Sequence, residues 1–306
     1  MSNLHGMSDA ERQALLSNLS AKSGGMRPEV VALREEVFAN GKKVFDCDGS
    51  KILGEIEVYA KSVVDGKPII TKGYIHNDLL VTGAVFATEK FHNVRSNFQT
   101  MPLDLELGVH SLDQIVRDNS TLPSEHICGL TIGTGGAGDT YNTVYKVTRT
   151  DRHVPNMIPF RVRPIDSDLT GATRAQYFLR VVRGDYVYYY GKKFDVDRDI
   201  YVEYEDGTTV PLDADKVPSN KFVRVYSRMR VTVDQYDVRE YAKYTYGSTL
   251  RSLVNSIGLI TGYEGKSDDG QQEFFNVRGM TIANMENQEL KDSESTITFV
   301  YKQYVV

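Results

Sequence analysis

The sequence contains no tryptophan and only two cysteines among its 306 residues. Cys47 and Cys128 do not form a Cys-x-x-Cys pair, and two thiols cannot supply the four ligands of a structural zinc site. In a reducing compartment we expect both thiols to stay reduced, and the sequence leaves open whether they meet. The six histidines lack the spacing of three or four residues that places two ligands on one helix face. The sequence therefore predicts no metal and no cofactor.

The chain also lacks an excess of positive charge and any long apolar segment. Its formal net charge is −5, whereas a protein that binds nucleic acid through phosphates normally carries a basic stripe, so we expect no direct contact with nucleic acid. No segment approaches the roughly 20 apolar residues that a membrane-spanning helix needs, which predicts no membrane partner. Because Met1–Gly6 do not begin like a signal peptide, we expect a soluble chain that is made in the cytoplasm.

Catalytic signatures are missing or incomplete. Residues Gly133–Gly138 match Gly-x-Gly-x-x-Gly, but a dinucleotide site needs a helix directly after the glycines. The β-branched and aromatic residues of Asp139–Tyr145 predict no such helix, so we expect a flexible glycine loop that allows close backbone approach. Asp195–Asp199 resembles the start of a calcium loop, yet Ile200 occupies the position that requires glycine. We expect no enzymatic activity; a hydrolase that assembles the three aspartates of this segment in space stays open as an alternative.

Two periodicities divide the chain. Residues 8–41 carry apolar residues at helical spacing, and Ser8 and Glu11 have the spacing of a capping box. From residue 43 the pattern changes to the alternation of apolar and polar residues that is typical of strands. The sequence therefore predicts a mainly β (α+β) protein, with a β-sandwich or barrel-like core and an N-terminal helical arm. Strands are predicted at Ile52–Ala60, Pro68–Tyr74, Leu79–Ala87, Ile127–Ile132, Thr143–Thr150, Ile158–Pro164, Gln176–Val182, Tyr186–Tyr190, Tyr201–Tyr204, Thr209–Leu212, Phe222–Val233 and Thr296–Val306, and further helices at Ser111–Arg117 and Ser248–Ile257.

The changes of pattern predict four segments along the chain. These are a helical N-terminal arm (1–41), a small β-rich domain (42–125), a main β domain (126–265) and C-terminal strands (266–306). The clearest local signal is a hairpin, in which Glu205–Thr208 connects two short strands. The last strand is apolar and must pair either with its own sheet or with a neighbouring subunit, because an exposed apolar edge promotes aggregation.

Tyrosine is the most conspicuous residue type, with 19 Tyr beside 12 Phe. Tyr loses little entropy when it packs and suits protein–protein contact. It is also common at half-exposed strand positions, so composition alone leaves both explanations open. Arginines cluster around Arg161 and around Arg228, and salt bridges across a subunit interface can explain both clusters.

Two segments together resemble a known class of proteins. The first contains Leu130–Gly136, followed by Asp151–Pro155 and Ile158–Arg161. The second contains Asp237–Tyr241, followed by Asn255–Gly262 with its Ile-Gly-Leu sequence. In this order the segments resemble virion structural proteins of tailed bacteriophages, in particular the attachment domains by which tail, collar or baseplate fibres dock on the particle.

The resemblance implies a β-rich docking module without catalysis. We expect a structural subunit of the neck, collar or baseplate that forms homo-oligomers, contacts other virion proteins and is located in the virion after assembly in the host cytoplasm. A capsid-associated decoration protein and a receptor- or carbohydrate-binding module are the alternatives. The residues expected at interfaces are Gly133, Gly135, Gly136, Arg161, Arg239, Glu240 and Tyr304.

Overall fold

The computed structural model forms two compact units. The described part of the first unit contains residues 200–204, 206–212, 222–227 and 303–304, and the second unit spans 54–199 and 228–302. These units differ from the four segments predicted from the sequence, because strands that are far apart in the sequence pair with each other. The described residues are 54–64, 67–76, 78–94, 102–108, 125–137, 154, 156–195, 199–204, 206–212, 222–234, 236–249, 252–267, 270–289 and 296–304.

Strands dominate the described residues, which confirms the prediction of a mainly β fold. The helices of the described residues are short, and Ile165–Ser167 form a 3₁₀ turn. The strands are β1 (Gly54–Val64), β2 (Lys67–His76), β3 (Asp78–Leu79), β4 (His126–Gly133), β5 (Met157–Ile158), β6 (Arg161–Pro164), β7 (Tyr177–Arg183), β8 (Tyr186–Lys193), β9 (Asp199–Tyr204), β10 (Thr209–Pro211), β11 (Phe222–Val233), β12 (Leu253–Lys266), β13 (Gln272–Glu289) and β14 (Thr296–Tyr304), and the helices are α1 (Val81–His92), α2 (Leu103–Glu106), α3 (Gly171–Arg174) and α4 (Arg239–Tyr246).

The second unit is built on an eight-stranded antiparallel sheet. Its strands are neighbours in the order β3-β13-β12-β4-β8-β6, with β5 paired to β4 and β7 paired to β8. In a second sheet of the same unit, β11, β14, β1 and β2 are successive neighbours. The hydroxyls of Thr281 in β13 and Tyr301 in β14 lie 2.6 Å apart, so the two sheets meet in a hydrogen-bonded contact.

The first unit contains the predicted hairpin. β9 and β10 are antiparallel, with Thr209 opposite Glu203, and β9 also neighbours β11. Gly207 has φ +81°, a left-handed conformation that glycine adopts without steric penalty, and the hairpin prediction is confirmed.

The predicted strand at Leu79–Ala87 is wrong. The structure has only β3 there, and Val81 begins helix α1. Thr82, Gly83, Phe86 and Ala87 are buried at the spacing of one helix face. A Cβ at Gly83 would lie 2.1 Å from the carbonyl oxygen of Met280, so the helix packs closely on β13. This tertiary packing outweighs the alternating sequence pattern.

The predicted helix at Ser248–Ile257 is also wrong, because Leu253 begins strand β12. The two edges of β12 pair with β13 and β4. Residues 254–262 are buried one after another, which means that both faces of the strand are covered as well. A strand that is buried on both faces has a nearly continuous apolar sequence rather than an alternating one. The periodicity of such a segment does not distinguish a strand from a buried helix.

Two further predictions can be compared with the structure, and three lie outside the described residues. The predicted C-terminal strand is confirmed as β14, which pairs with its own sheet between β11 and β1. The predicted strand Ile158–Pro164 is divided into β5 and β6 by Pro159 and Phe160. The N-terminal helical arm (1–41), the helix at Ser111–Arg117 and the strand at Thr143–Thr150 lie outside the described residues.

Candidate docking site

A buried polar cluster formed by Tyr177, Lys192 and Asp237 lies at the start of helix α4. Asp237 is fully buried, and its carboxylate accepts hydrogen bonds from the Tyr177 hydroxyl at 2.7 Å and the Lys192 ammonium at 2.6 Å. Lys192 also donates to the carbonyl of Thr232 at 2.6 Å, and the N–H of Asp234 donates to Asp237 at 3.1 Å. Because both charges have close partners, the cluster avoids the large penalty of an isolated buried charge.

Burial and neighbouring charge shift the pKa values of two groups in this cluster. Burial raises the pKa of the Asp237 carboxyl above its ordinary value, while the charge of Lys192 opposes this shift. Burial and the adjacent Asp237 carboxylate also raise the pKa of the Tyr177 hydroxyl, so this phenol remains a neutral donor. The three side chains are almost inaccessible to solvent, and the cluster therefore acts as an anchor for the elements that it joins.

The turn that leads into α4 has a strained backbone at Val238. This residue has φ +69°, a left-handed conformation that is rare for a β-branched side chain. Its N–H donates to the carbonyl of Phe160 at 2.8 Å, and its own carbonyl accepts the N–H of Ala242 at 2.8 Å. These contacts, together with full burial of the Val238 side chain, hold the strained conformation. The direction in which α4 leaves the turn is thereby fixed.

The Glu240 corner, formed by Arg161, Arg163 and Glu240, joins β6 to α4. Arg161 donates two hydrogen bonds to the Glu240 carboxylate, from Nε at 2.9 Å and from Nη2 at 3.1 Å. Arg163 Nη1 donates at 3.0 Å, and the N–H of Val162 adds a fourth hydrogen bond at 3.2 Å. Burial alone lowers the pKa of Arg161, but the hydrogen bonds and charge of Glu240 outweigh it and raise this pKa. One carboxylate therefore holds two guanidinium groups in place.

A second buried ion pair, between Arg174 and Glu273, attaches the end of α3 to β13. Arg174 Nη2 lies 3.1 Å from Glu273 Oε2, and the side chains are 3% and 1% exposed. The other oxygen of Glu273 accepts the N–H groups of Leu179 and Phe274, each at 3.1 Å. Burial raises the pKa of Glu273, and Arg174 and the two N–H groups oppose this shift. Strands β7 and β13 are thus held together by charged groups as well as by apolar packing.

The outer side of α4 and the turn before it carry exposed tyrosines. Tyr236, Tyr244 and Tyr246 are 58%, 45% and 45% exposed. The ring of Tyr244 packs on Tyr186 of β8 with centroids 4.9 Å apart, and the ring of Tyr246 meets Tyr241 edge-on at 6.0 Å. Aromatic side chains that already pack on neighbours lose little entropy on binding, which suits them to protein contacts.

Helix α4 also carries two cations. Arg239 and Lys243 are four residues apart and share one stripe of α4. Within the described part of the chain, neither is paired with a carboxylate. We call the surface formed by Tyr236, Arg239, Lys243, Tyr244 and Tyr246 the tyrosine face.

The glycine loop packs against Asn255 of β12. Gly133 is the last residue of β4, and Gly135 follows it as a half-buried residue. The N–H of Gly136 donates to Asn255 Oδ1 at 2.6 Å. A Cβ at Gly136 would lie 1.9 Å from the Asn255 carbonyl oxygen, so no larger residue fits without a backbone shift. Gly136 therefore has the backbone role that the sequence predicts.

Residues 156–161 connect the glycine loop with the Glu240 corner. At one end, the N–H of Thr134 donates to the carbonyl of Asn156 at 3.1 Å. At the other end, the carbonyl of Phe160 accepts the N–H of Val238 at 2.8 Å. The two sequence segments on which the resemblance rests are therefore joined by direct hydrogen bonds in the structure.

Most of the predicted interface residues belong to this arrangement. Arg161 and Glu240, which were each expected at a subunit interface, pair with each other inside the chain. Arg239 is the first residue of α4, and Tyr304 is the last residue of β14, in the first unit. The roles of these residues in contacts between subunits stay predictions. The second unit contains Gly133, Gly135, Gly136, Arg161, Arg239 and Glu240.

The described ranges also bear on the predictions about metal ions, membranes and cysteines. There, no group of three His, Cys, Asp or Glu side chains is arranged to hold a metal ion, and no helix is long and apolar enough to cross a membrane. Asp195 accepts the hydroxyl of Thr232 at 2.7 Å, whereas Asp197 lies outside these ranges. Cys128 is buried with its Sγ 3.5 Å from the carbonyl oxygen of Ile260, and Cys47 lies outside these ranges.

Sequence reasoning missed the charged residues that anchor the site. Lys192 follows the aromatic run of β8, where it looks like a solvated strand end. Its partner Asp237 is 45 residues away, and Arg174 and Glu273 are 99 residues apart. The only signal was a charged residue inside an otherwise apolar pattern, and such a signal does not identify the partner.

Comparison with known proteins gives one partial match. Residues 127–211 match a family model described as a family of unknown function, DUF7208. This range is less than a third of the chain and includes the glycine loop and β6 but not α4. Searches of curated proteins and of solved structures found no match.

Proposed function

We propose that the chain is a structural assembly protein of a tailed-phage virion, a subunit of the neck, collar or baseplate that docks neighbouring subunits or fibres. It works as a homo-oligomer in contact with other virion proteins, without enzymatic activity, and is located in the virion after assembly in the host cytoplasm. The observation that carries the proposal is the tyrosine face, which is exposed to solvent on a helix with a rigid buried base.

The buried contacts that hold α4 in place support a docking role, because they reduce the entropy that is lost when a partner binds. Binding costs free energy when loops and side chains must be ordered, and a surface that is already ordered avoids much of this cost. The Asp237 cluster, the Glu240 corner and the backbone contacts of Val238 all hold the start of α4 in place. The tyrosine face can therefore receive a partner with little rearrangement, as a subunit in repeated symmetric contacts requires.

The sequence resemblance supports the same proposal. It rests on the segments around the glycine loop and around α4, and hydrogen bonds join these segments. Tyr and Arg are enriched at the centres of protein interfaces, where they supply most of the binding energy.

Light scattering of the purified chain over a concentration series tests the proposal. We expect a discrete oligomer whose population grows with concentration. The variant Tyr244→Ser with Tyr246→Ser should shift assembly to higher concentration, because it removes the apolar contact area of the tyrosine face. Phe91→Ser is the matched control, since Phe91 is 62% exposed on α1 and lies outside this face. Equal assembly of all three proteins would contradict the proposal.

A receptor- or carbohydrate-binding module is the second candidate, because exposed tyrosine rings can also stack on the apolar faces of sugar rings. A glycan array separates the two functions. Binding of a defined sugar that Tyr244→Ser abolishes, by a chain that stays monomeric, would favour the binding module.

A further inference from the structure

The contact between Lys192 and Asp237 brings an amine and a carboxyl group together in a site that is closed to water. Lys192 Nζ lies 2.6 Å from Asp237 Oδ2, and the two side chains are 4% and 0% exposed. A nitrogen at hydrogen-bond distance from a carboxyl oxygen lies about 3–3.5 Å from the carboxyl carbon, which is the separation from which a covalent bond forms. Both residues belong to the second unit, so their approach is fixed within one compact body.

The neighbours of this pair hold both groups in the orientation that amide formation needs. The Tyr177 hydroxyl donates to Asp237 Oδ1 at 2.7 Å, where it polarises the carboxyl group and stabilises negative charge that develops on this oxygen during attack. The carbonyl of Thr232 accepts a hydrogen bond from Lys192 Nζ at 2.6 Å, which restricts rotation of the amine. The N–H of Asp234 donates to Asp237 Oδ2 at 3.1 Å. Little further ordering is therefore needed before a reaction.

Burial also favours the uncharged forms of the two groups, which are the forms that react. Burial raises the pKa of the Asp237 carboxyl above its ordinary value, although the charge of Lys192 opposes this shift. Transfer of one proton along the 2.6 Å hydrogen bond converts the ion pair into a neutral amine and a carboxylic acid. Exclusion of water lowers the cost of this transfer, because a medium of low dielectric constant destabilises both charges.

We propose that Lys192 and Asp237 form an intramolecular isopeptide bond. Lys192 Nζ attacks Asp237 Cγ, so that a C–N bond forms and a C–O bond breaks. The ammonium gives up two hydrogens and the carboxylate gives up one oxygen, and these leave together as one water. The step is a condensation and needs no oxidant, reductant or further reactant.

The bond joins β8 covalently to the turn that leads into α4. Exclusion of water from the site protects the new amide from hydrolysis. The link holds the start of α4 even when the surrounding hydrogen bonds open. This inference concerns the chain itself and does not depend on the proposed function.

The ion pair of Arg174 and Glu273 shows why burial alone is not sufficient for this reaction. Its side chains are 3% and 1% exposed, and Arg174 Nη2 lies 3.1 Å from Glu273 Oε2. A guanidinium stays protonated in proteins and is not a nucleophile, whereas a lysine amine becomes one when it loses its proton. We therefore expect a covalent bond at Lys192 and none at Arg174.

Mass spectrometry of the denatured, purified full chain tests the bond. The wild type should weigh one water less than its sequence. Lys192→Arg should have its full mass, because it keeps the positive charge but removes the nucleophilic amine. Lys193→Arg is the matched control, since Lys193 is the next residue and its Nζ donates to the carbonyl of Gln272 at 3.1 Å. This control should lose one water, as the wild type does.

Peptide mapping then locates the bond. Digestion of the wild type should release a branched peptide in which Lys192 is joined to Asp237. A succinimide at Asp206 and Gly207 would remove the same mass. The succinimide would also form in Lys192→Arg, however, and it would give no branched peptide.

Tyr177→Phe tests the hydroxyl that contacts the reacting carboxyl group. This variant keeps the ring but removes the donor to Asp237 Oδ1. The cross-linked fraction of freshly expressed protein, followed over time by mass spectrometry, should grow about 100-fold more slowly than in the wild type. An equal rate would overturn the role that we give to Tyr177.

The wild type alone decides the inference if a variant fails to fold. Full mass after prolonged incubation of the folded chain overturns it, and so does a loss of water without the branched peptide. Loss of water that persists in Lys192→Arg overturns it as well. A chain that carries the bond and stays monomeric at every concentration supports this inference and contradicts the homo-oligomer in the proposed function.

Discussion

The Glu240 corner and the glycine loop lie at the two ends of residues 156–161, and they are held in place by different forces. At the corner, one carboxylate accepts four hydrogen bonds from two arginines and a backbone N–H. At the loop, the backbone of Gly136 approaches Asn255 so closely that a side chain would not fit. Charge fixes the first site, and the shape of the backbone fixes the second.

This difference affects how each site responds to substitution. A site that depends on charge loses stability when one partner is removed, because the other partner is left without compensation. A site that depends on close approach loses stability when an atom is added. Truncation should therefore damage the base of α4, whereas enlargement should damage the glycine loop.

The largest expected effect is at the polar cluster below α4. Lys192→Met leaves the Asp237 carboxylate buried without its cation, and we expect a loss of about 3–5 kcal/mol in the free energy of unfolding. The double variant Lys192→Met with Asp237→Leu removes both charges and should be clearly more stable than the single variant. Denaturant unfolding followed by circular dichroism measures both. A single variant as stable as the double variant would show that charge does not hold this cluster.

At the glycine loop, Gly136→Ala should cost about 1–3 kcal/mol, because the added methyl group displaces backbone atoms. Gly262→Ala is the control, since its methyl group would come no closer than 3.2 Å to any neighbouring atom. We expect a smaller loss for the control in the same unfolding measurement. The reverse order would mean that the loop shifts easily and is not fixed by close approach.

At the Glu240 corner, Glu240→Gln keeps the shape of the side chain but removes the charge that holds Arg161 and Arg163. We expect a loss of about 1–2 kcal/mol, as for a hydrogen bond to a charged group. Arg230→Gln serves as a comparison, because the Arg230 side chain is 47% exposed and lies 3.8 Å from Asp195, and exposed pairs of this kind contribute about 0–1 kcal/mol. Thermal unfolding compares the two. Equal shifts would indicate that the corner is no stronger than an ordinary surface ion pair.

The smallest expected effect is a loss of folding stability at alkaline pH. Burial and the neighbouring Tyr246 raise the pKa of Tyr241 to about 12, while a tyrosine in the unfolded chain ionises near pH 10. The folded state then binds this proton more strongly than the unfolded state, so its stability is complete below about pH 10 and declines as the pH rises toward 12. Phenolate absorbance should show this late ionisation, and Tyr241→Phe should reduce the dependence. Ionisation of every tyrosine near pH 10 in the folded chain would contradict it.

Local sequence signals were sufficient for only some elements. The hairpin at Tyr201–Leu212 was predictable because Asp206 and Gly207 form a turn by themselves. The helix at Val81–His92 was missed, since its packing on β13 involves residues almost 200 positions away. At the candidate site, Gly136, Arg161 and Glu240 were predicted as important residues. The anchors Lys192 and Glu273 were not predicted, because their partners are distant in the sequence.

Residue types and local patterns were enough to predict the mainly β fold, the hairpin turn and the final strand, and they show the abundance of tyrosine directly. These features depend on residue type and on neighbours a few positions away. Long-range packing, in contrast, determines which charges are buried together, which strand is covered on both faces and which tyrosines remain exposed. Those properties arise when segments 45 to 100 or more residues apart are brought into contact. Burial then strengthens the hydrogen bonds and ion pairs at the contact, because the dielectric constant there is lower than in water.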